Sequence, residues 1–253
     1  LLLGTYCFTL PRAEVHADKP KTLAYWQGLK VFALPGLPLL CALTFLNSMT
    51  HQFYYYGMSP YLSQLGFENS HIMPVMSLGQ ISEVIVLGAL GICLARLGSK
   101  RILFIGALTQ ALRHLLFAYG HHSPALIVLG IAVHGFCYAF WFTAAYIYVD
   151  HLSIPQTRAG AQQLFTIIIS GIGAFGGFQA AGFVAQACTH SSGVIDFQRF
   201  WLVPLALGLF TSVVLGLFFR ETSEAPRRSK GGPSGLSGQG PKLPQGSGTR
   251  PSL

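Results

Sequence analysis

Charged side chains are scarce in this chain: they make up 9% of its 253 residues, and only 8 residues are acidic. Soluble domains carry about 25% charged residues, so this composition argues against a soluble globular protein. Hydrophobic residues account for 51% of the chain, and the mean hydropathy is +0.50. The composition therefore predicts a membrane protein.

The sequence also lacks the patterns on which most enzymes and metal proteins depend. Its five cysteines lie far apart, mostly inside apolar segments, and their spacing fits neither a metal site nor a disulfide framework. They are Cys7, Cys41, Cys93, Cys137 and Cys188. There is no catalytic triad, metal-ligand cluster or phosphate-binding loop. We therefore expect a protein that is not an enzyme and uses no cofactor.

The chain begins with Leu rather than Met, and its opening LLLGTYCFTLP has no basic region of the kind that starts a signal peptide. This opening looks like the last turns of a helix whose beginning is missing. We therefore expect the sequence to be a fragment of a longer protein.

Apolar runs of about 20 residues or more, the length of a helix that crosses a bilayer, dominate the rest of the chain. They predict helices over 31–61, 72–94, 102–119, 125–149, 161–187 and 200–219. Residues 1–10 would be the end of an earlier spanning helix, and residues 11–30 a cytoplasmic loop. Residues 31–220 would form a six-helix unit. Residues 221–253 are rich in Gly, Ser, Pro and basic residues, which predicts a disordered basic tail.

The basic residues fall in alternate loops. The loops at 11–30, 95–101 and 150–160, together with the tail, hold nearly all the Lys and Arg. The loops at 62–71, 120–124 and 188–199 hold only Arg199. Because cytoplasmic loops carry the excess of Lys and Arg, the first set and the C-terminus should be cytoplasmic. The formal charge of +8 is thus a sign of membrane topology and does not indicate a nucleic acid partner.

One carboxylate, Glu83, lies in the middle of the apolar run 72–94, which holds no other charged side chain. A charge at the centre of a bilayer costs roughly 2.5–3.5 kcal/mol, and such residues usually face the bundle interior or a water-filled path. We expect Glu83 to accept a proton, to bind a polar solute, or to do both. The alternative is a structural partner for another buried polar group.

Three predicted helices carry pairs of polar or aromatic residues at helical spacing, which places each pair on one face. The pairs are His51 and Tyr54, Gln80 and Glu83, and His134 and Tyr138. If these faces meet, they line a cavity for a neutral, planar, polar solute, on whose ring Tyr138 or Phe140 would stack. Three further interpretations stay open: Tyr54 belongs to an interfacial aromatic belt, His134 is a packed, hydrogen-bonded helix residue, and His51 is a member of a proton relay.

Arg113 is a second charge near an apolar run, about two turns before the end of the fourth predicted helix. It would either snorkel toward the outer surface or pair with a buried group. With His114 beside it, we expect a structural or gating role.

Two motifs invite interpretations that their context does not support. Residues 171–176 fit G-x-G-x-x-G, but they lie inside an apolar helix rather than after a strand. Gly173 and Gly177 also form G-x-x-x-G, which predicts close packing of two membrane helices. His121 and His122 are adjacent in a turn and share no helix face, so we expect a solvated turn rather than a metal site.

The stretch Ser77-Leu78-Gly79-Gln80-Ile81-Ser82-Glu83 resembles the S-x-x-Q-I-S-E signature of the bacterial nucleoside:proton symporters of the major facilitator superfamily. Similar elements are Leu112-Arg113, the run 116–120, Ile154-Pro155, Arg158-Ala159 and Ala161-Gln162. The resemblance covers about residues 40 to 220. It implies an all-α membrane protein that is the C-terminal six-helix half of a twelve-helix transporter, with the solute site between two halves.

The resemblance also implies site residues and a mechanism. Gln80 and Glu83 match residues that contact the nucleoside. His51 and Tyr54 stand where nucleoside-specific members have Gln and Asn, while His134, Tyr138 and Ala139 stand in place of Tyr, Phe and Asp. The implied function is proton-coupled nucleoside uptake by alternating access in the bacterial inner membrane, with Glu83 as the proton-coupling candidate and a missing N-terminal half as partner.

Two other functions stay open. One is a facilitator for another small polar solute, such as a sugar or an organic anion, for which His51, His134 and Arg113 are the visible cations. The other is a membrane sensor that does not transport and uses its tail as an interaction segment.

Overall fold

The computed structural model describes residues 5, 6, 8, 9 and 24–221, and this part of the chain is almost entirely helical. Most of the predicted helix end at 1–10, the loop at 11–23, Cys7 and the tail from 222 lie outside the described residues. The helices are α1 (Ala24–Phe32), α2 (Leu37–Gln64), α3 (Asn69–Leu97), α4 (Ser99–Tyr119), α5 (Pro124–Leu152), α6 (Pro155–Ala187) and α7 (Phe197–Phe218).

Five of these helices, α3 to α7, are long and apolar enough to cross a membrane. Helix α2 has 28 residues, and its middle is more polar because it contains Asn47, Ser48, Thr50 and His51. All four of these side chains are buried against other helices. The chain is therefore a multi-pass membrane protein in which α2 turns its polar residues into the bundle.

The predicted start of the second helix at residue 31 is wrong, and so is the predicted loop through residue 30. Residues Ala24–Phe32 form the separate helix α1, and α2 begins only at Leu37. Between them Gly36 has a φ of 84°, a left-handed conformation that glycine adopts without steric cost and that breaks a helix. Pro38 then lies in the first turn of α2, where its missing N–H is not needed.

The predicted loop at 150–160 is also wrong. Only Ser153 and Ile154 separate α5 from α6, and α6 starts at Pro155. Proline suits the first turn of a helix because its fixed φ matches the helix and its N–H would have no intrahelical partner. An ion pair of 2.9 Å between Arg158 Nε and Asp150 Oδ1 links the two helices at this short connection.

Helices α2 and α6 pack backbone to backbone, which confirms the predicted role of the G-x-x-x-G motif. A Cβ added at Gly177 would lie 2.7 Å from Met49 Cα, and one at Gly173 would lie 2.9 Å from Ser48 Cβ. Only glycine permits this approach. The motif is thus a packing element inside a helix and not a dinucleotide-binding turn.

Two helices contain a π-helical turn at the level of the polar residues. In α5 it spans Tyr138–Thr143, and in α6 it spans Ile167–Gly173. Such turns displace the backbone hydrogen-bonding pattern by one residue and occur often at functional sites. Ser48 Oγ of α2 donates to the carbonyl of Ile169 in the second turn at 2.7 Å. The π-helical turn of α5 leads directly on from His134–Cys137.

The core is formed mainly by α2, α4, α5 and α7, whereas α3 and α6 are the least buried of the spanning helices. Large apolar side chains of α3 and α6 stay exposed: Ile81, Val84, Ile85, Phe175 and Phe183. Most of the surface of each of these two helices is therefore not covered by other described helices. The four cysteines in the described part are free.

Candidate functional site

The predicted site residues of α2, α3 and α5 converge around His134. The His134 ring stacks on His51 with 5.1 Å between ring centroids and lies 5.3 Å from the Tyr54 ring and 6.3 Å from the Tyr138 ring. On its other side, His134 Nε2 is 3.8 Å from Glu83 Oε2. Five of the six predicted residues thus form one group, which with Gln80, Tyr55 and Arg113 we call the central cluster.

Gln80 lies one helical turn before Glu83 on the exposed side of α3. Its side chain lies near that of Tyr55, which follows Tyr54 on α2. Tyr55 is exposed and its ring lies 5.2 Å from that of His51. Gln80 therefore belongs to the outer layer of the cluster, and it meets α2 through Tyr55 rather than through His51 or Tyr54.

The central cluster is layered from an open side to a closed side. Gln80 and Tyr55 are exposed, the Glu83 side chain is 21% exposed, and His134 is 0% exposed. Tyr54 is also fully buried, so the prediction of an interfacial belt is wrong for this residue. Phe140 lies at the α4–α5 contact, where its backbone packs against Gly106, and among the described residues its ring contacts that of Phe136 and no ring of the cluster. The open side thus carries an amide, a phenol and a carboxylate.

Arg113 of α4 closes the cluster from behind. It is fully buried, and its Nη1 lies 2.7 Å from His134 Nδ1. Its Cζ lies 4.7 Å from the centroid of the Tyr54 ring, which is a cation–π contact. Of the two alternatives considered for Arg113, snorkelling outward is therefore wrong, and pairing with a buried group is confirmed.

Several polar atoms of this region have no hydrogen-bond partner within the described residues. They include both side-chain amide atoms of Asn47, His51 Nδ1, Tyr54 Oη, and Nε and Nη2 of Arg113. Leaving a buried polar atom unpaired costs about 1–3 kcal/mol, and native proteins keep few such atoms. Their concentration in one place is typical of a site that binds a polar solute or water.

Sequence reasoning did not include Asn47, Tyr55 or Arg113 among the site residues. Asn47 lies one helical turn before His51, so the spacing of residues 47, 51 and 54 indicated its face. The sequence shows Arg113 as a charge near an apolar run but does not indicate its partner. No feature of the sequence distinguishes Tyr55 from the aromatic residues beside it.

The cluster is unevenly charged. It combines the guanidinium of Arg113 with the imidazoles of His51 and His134, and a third imidazole, His114, lies next to Arg113. Among the described residues, Glu83 is the only acidic residue in the middle of a spanning helix. No group of three potential metal ligands occurs in the described part. His121 and His122 are exposed in a short 3₁₀ turn, as predicted.

Comparison with protein families gives a match over nearly all of the chain. The family model described as "Nucleoside H+ symporter" matches residues 1–224. Among curated proteins, the putative nucleoside transporter YegT of Escherichia coli (strain K12) is 30% identical over 233 residues, which are 87% of this chain and 54% of YegT. The nucleoside permease NupG of the same strain is 31% identical over 217 residues, which are 78% of this chain and 51% of NupG.

A third relative is the xanthosine permease of E. coli (strain K12), which is 28% identical over 235 residues, or 87% of this chain and 56% of the permease. Among solved structures, a crystal structure of a mutant of the nucleoside transporter NupG matches with a TM-score of 0.67 and 25% identity. That match covers 87% of this chain and 58% of the NupG chain. The chain spans about half the length of the curated relatives that it matches.

Proposed function

Because the chain belongs to the nucleoside H+ symporter family, whose matched relatives are transporters and not enzymes, we propose that it takes up nucleosides together with protons. It would form the C-terminal six-helix half of a twelve-helix transporter of the major facilitator superfamily. The N-terminal half would complete the solute site. The likeness in fold to NupG over 58% of that chain supports this arrangement.

The observation that carries the proposal is the position of Gln80 and Glu83. Both lie on the open side of the central cluster, on the helix that leaves most of its surface uncovered. An amide can form two hydrogen bonds with a nucleobase edge, and a carboxylate accepts from ribose hydroxyls. The exposed ring of Tyr55 and the half-buried ring of Tyr138 offer stacking surfaces for the base.

His51, Tyr54 and His134 would have supporting roles in this site. They lie one layer deeper than Glu83 and are buried. His134 contacts the carboxylate, while His51 and Tyr54 pack against His134 from α2. We propose that this layer sets the shape of the pocket and the orientation of Glu83.

Glu83 is our candidate for proton coupling. It is the only carboxylate in the cluster, and Ala139 on α5 cannot carry a proton. A partly exposed carboxylate at the open side can exchange protons with water on either side of the membrane as the two halves rock. Proton entry down its gradient would then favour nucleoside entry.

The cellular location and the membrane orientation of the protein follow from the same proposal. A symporter of this family would lie in the bacterial inner membrane, with the C-terminus in the cytoplasm because the basic loops alternate. The uncovered apolar face of α3 and α6 would then contact the N-terminal half and lipid.

The test is uptake of labelled uridine by the complete gene product in cells that lack their own nucleoside transporters, with and without a protonophore. We expect saturable uptake that collapses when the protonophore is present. No uptake, with the protein detected in the membrane, would contradict the nucleoside function.

A second candidate is transport of an organic anion, which the excess of guanidinium and imidazole groups in the cluster favours. Uptake measured separately with labelled uridine and with labelled carboxylates would separate the two. Uptake of uridine alone supports the first function, and uptake of a carboxylate alone supports the second.

A further inference from the structure

We propose that Arg113 is a positioning residue that fixes the tautomer of His134, so that His134 presents its Nε2–H to Glu83 and Glu83 alone carries the transported proton. The role in transport rests on the proposed function. The tautomer itself does not, because it follows from contacts between buried side chains.

Arg113 and His134 are in direct contact through two nitrogen atoms. Arg113 Nη1 and His134 Nδ1 are 2.7 Å apart, and both side chains are fully buried. A guanidinium has only N–H donors and keeps its charge in proteins, so it cannot accept a hydrogen bond. His134 Nδ1 must therefore be the acceptor and hold a lone pair. A hydrogen on Nδ1, in either the other tautomer or the imidazolium, would set N–H against N–H.

The opposite side of the His134 ring faces Glu83. With Nδ1 as acceptor, the single hydrogen of the neutral imidazole lies on Nε2, which is 3.8 Å from Glu83 Oε2. This distance is longer than a hydrogen bond, and a movement of about 1 Å would close it. Nε2 has no hydrogen-bond partner among the described residues. Nε2–H is thus a hydrogen-bond donor without an acceptor in the described part of the chain, and it lies near an oxygen atom of Glu83.

The guanidinium is itself held in place. It lies over the ring of Tyr54, at 4.7 Å from Cζ to the ring centroid, while His134 contacts the same ring from α5. A rotation of Arg113 away from His134 would give up the cation–π contact and leave a buried charge without the imidazole. The contact to Nδ1 is therefore the stable arrangement of these three residues.

His114 provides an internal contrast. Its Nδ1 lies 2.8 Å from the backbone carbonyl oxygen of Gln110, which can only accept. His114 must therefore carry a hydrogen on Nδ1. The partners of these two fully buried histidines thus require opposite states of Nδ1, which carries a hydrogen in His114 and none in His134.

The consequence for coupling is a division of roles. The Glu83 carboxylate takes a proton from water on one side of the membrane and returns it on the other, while His134 keeps its hydrogen throughout. With Glu83 ionised, Nε2–H is directed at the carboxylate. With Glu83 protonated, Nε2–H no longer faces a negative charge, and the carboxyl group is free to turn toward the solute. The titratable or charged groups facing this pair are His51, Tyr54 and Tyr55 on α2, Arg113 and His114 on α4, and Tyr138 on α5.

The first experiment is ¹⁵N NMR of histidine-labelled, full-length protein in lipid nanodiscs over the pH range of uptake. The His134 signals are identified by their loss in His134→Gln, and those of His114 by their loss in His114→Gln. We expect His134 to be protonated on Nε2 only and His114 to carry its hydrogen on Nδ1. A His134 that is protonated on Nδ1, or on both nitrogens, overturns the proposal.

The second experiment compares Arg113→Met, Arg113→Lys and the control His114→Gln. Loss of the charged donor in Arg113→Met should let both tautomers of His134 appear and should raise the KM for uridine about tenfold or more. Arg113→Lys keeps a charged donor and should restore the Nε2–H tautomer and part of the affinity. His114→Gln should leave KM unchanged. An unchanged tautomer and KM in Arg113→Met contradict the positioning role.

The proton role is tested by pH profiles. His134→Gln should lower uptake but keep its dependence on external pH, because the carboxylate that titrates is still present. His51→Gln should keep it as well. Loss of the pH dependence in His134→Gln overturns the proposal.

These outcomes remain decisive if one variant fails to fold, because the wild-type NMR spectrum already tests the tautomer. They also separate this inference from the proposed function. Absence of uridine uptake by the wild type contradicts the function and leaves the tautomer assignment intact. A wrong tautomer contradicts only the inference.

Discussion

At the scale of single residues, the central cluster is built from side chains that would each be costly in a membrane on their own. Burial of a charge or an imidazole is tolerated when a partner lies within reach. Arg113, His134 and Glu83 supply one another with such partners through contacts of 2.7 and 3.8 Å. Of these three residues, only Glu83 at the open side is partly exposed.

Gln80 is the residue at which a substitution should affect solute binding with least damage to the fold, because it is exposed. Gln80→Ala should raise the KM for uridine about fivefold, since one hydrogen bond contributes about 1 kcal/mol. The control is Ser77→Ala, one turn earlier on the exposed side of the same helix, whose hydroxyl bonds only the carbonyl of Pro74 in the described chain. Equal KM values for both variants would argue against Gln80 as a ligand.

Substitutions of Tyr54 test, through the stability of the protein, the contact between its ring and Arg113 on the closed side of the cluster. Tyr54→Leu removes the ring under Arg113 and should destabilise the protein by about 1–3 kcal/mol. Tyr54→Phe keeps the ring and removes a hydroxyl that has no hydrogen-bond partner in the described part, so its melting temperature should match or exceed that of the wild type. The measurement is thermal unfolding in detergent. A larger loss in Tyr54→Phe than in Tyr54→Leu would contradict the cation–π account.

At the scale of helices, close contacts between backbones position the cluster. Gly177 of α6 meets Met49 of α2, so the polar middle of α2 is held against α6 on one side and faces α5 on the other. The π-helical turn after His134 adjusts the register of α5 in the same layer.

Gly177→Ala tests this contact. The added Cβ would lie 2.7 Å from Met49 Cα, so the helices must separate, and overpacking of this kind costs about 1–3 kcal/mol. Gly176→Ala is the matched control, because its nearest contact would be Met49 Cε at 3.7 Å, an ordinary distance. We expect a lower melting temperature for Gly177→Ala alone. Equal stability of the two variants would mean that the approach of α2 and α6 is not restrictive.

Much of the helix arrangement could be predicted from the sequence. Apolar length indicated the spanning helices, and the spacing of Gly173 and Gly177 indicated a close contact. The periodicity could not show that α2 starts after a left-handed Gly36, because a glycine between prolines fits a helix start and a break equally well. It also could not show that Arg113 meets His134, because their contact depends on which helices are neighbours, and spacing along one helix carries no such information.

At the scale of the whole molecule, the described helices leave the apolar faces of α3 and α6 without a cover. A monomeric soluble protein rarely exposes so much apolar surface, and in a transporter this face would meet the other half. The candidate solute residues Gln80 and Glu83 lie on that face. In the proposed two-half transporter, these residues would line one half of the solute pocket.

This arrangement predicts that residues 1–253 alone do not transport. Cells expressing this segment should show no uridine uptake. Co-expression with a separate N-terminal half should restore uptake and protect the segment from proteolysis. Uptake by the segment alone would contradict the two-half arrangement, unless cross-linking showed a dimer of this segment.

The central claim is that nucleoside and proton move together and that Glu83 carries the proton. The most direct measurement is the external pH of a lightly buffered, de-energised suspension of cells that express the complete gene product, recorded when uridine is added. The account predicts a transient rise in external pH for the wild type and none for Glu83→Gln present in the membrane at the same level. Uridine entry without a change in pH, or an equal change in Glu83→Gln, would contradict it.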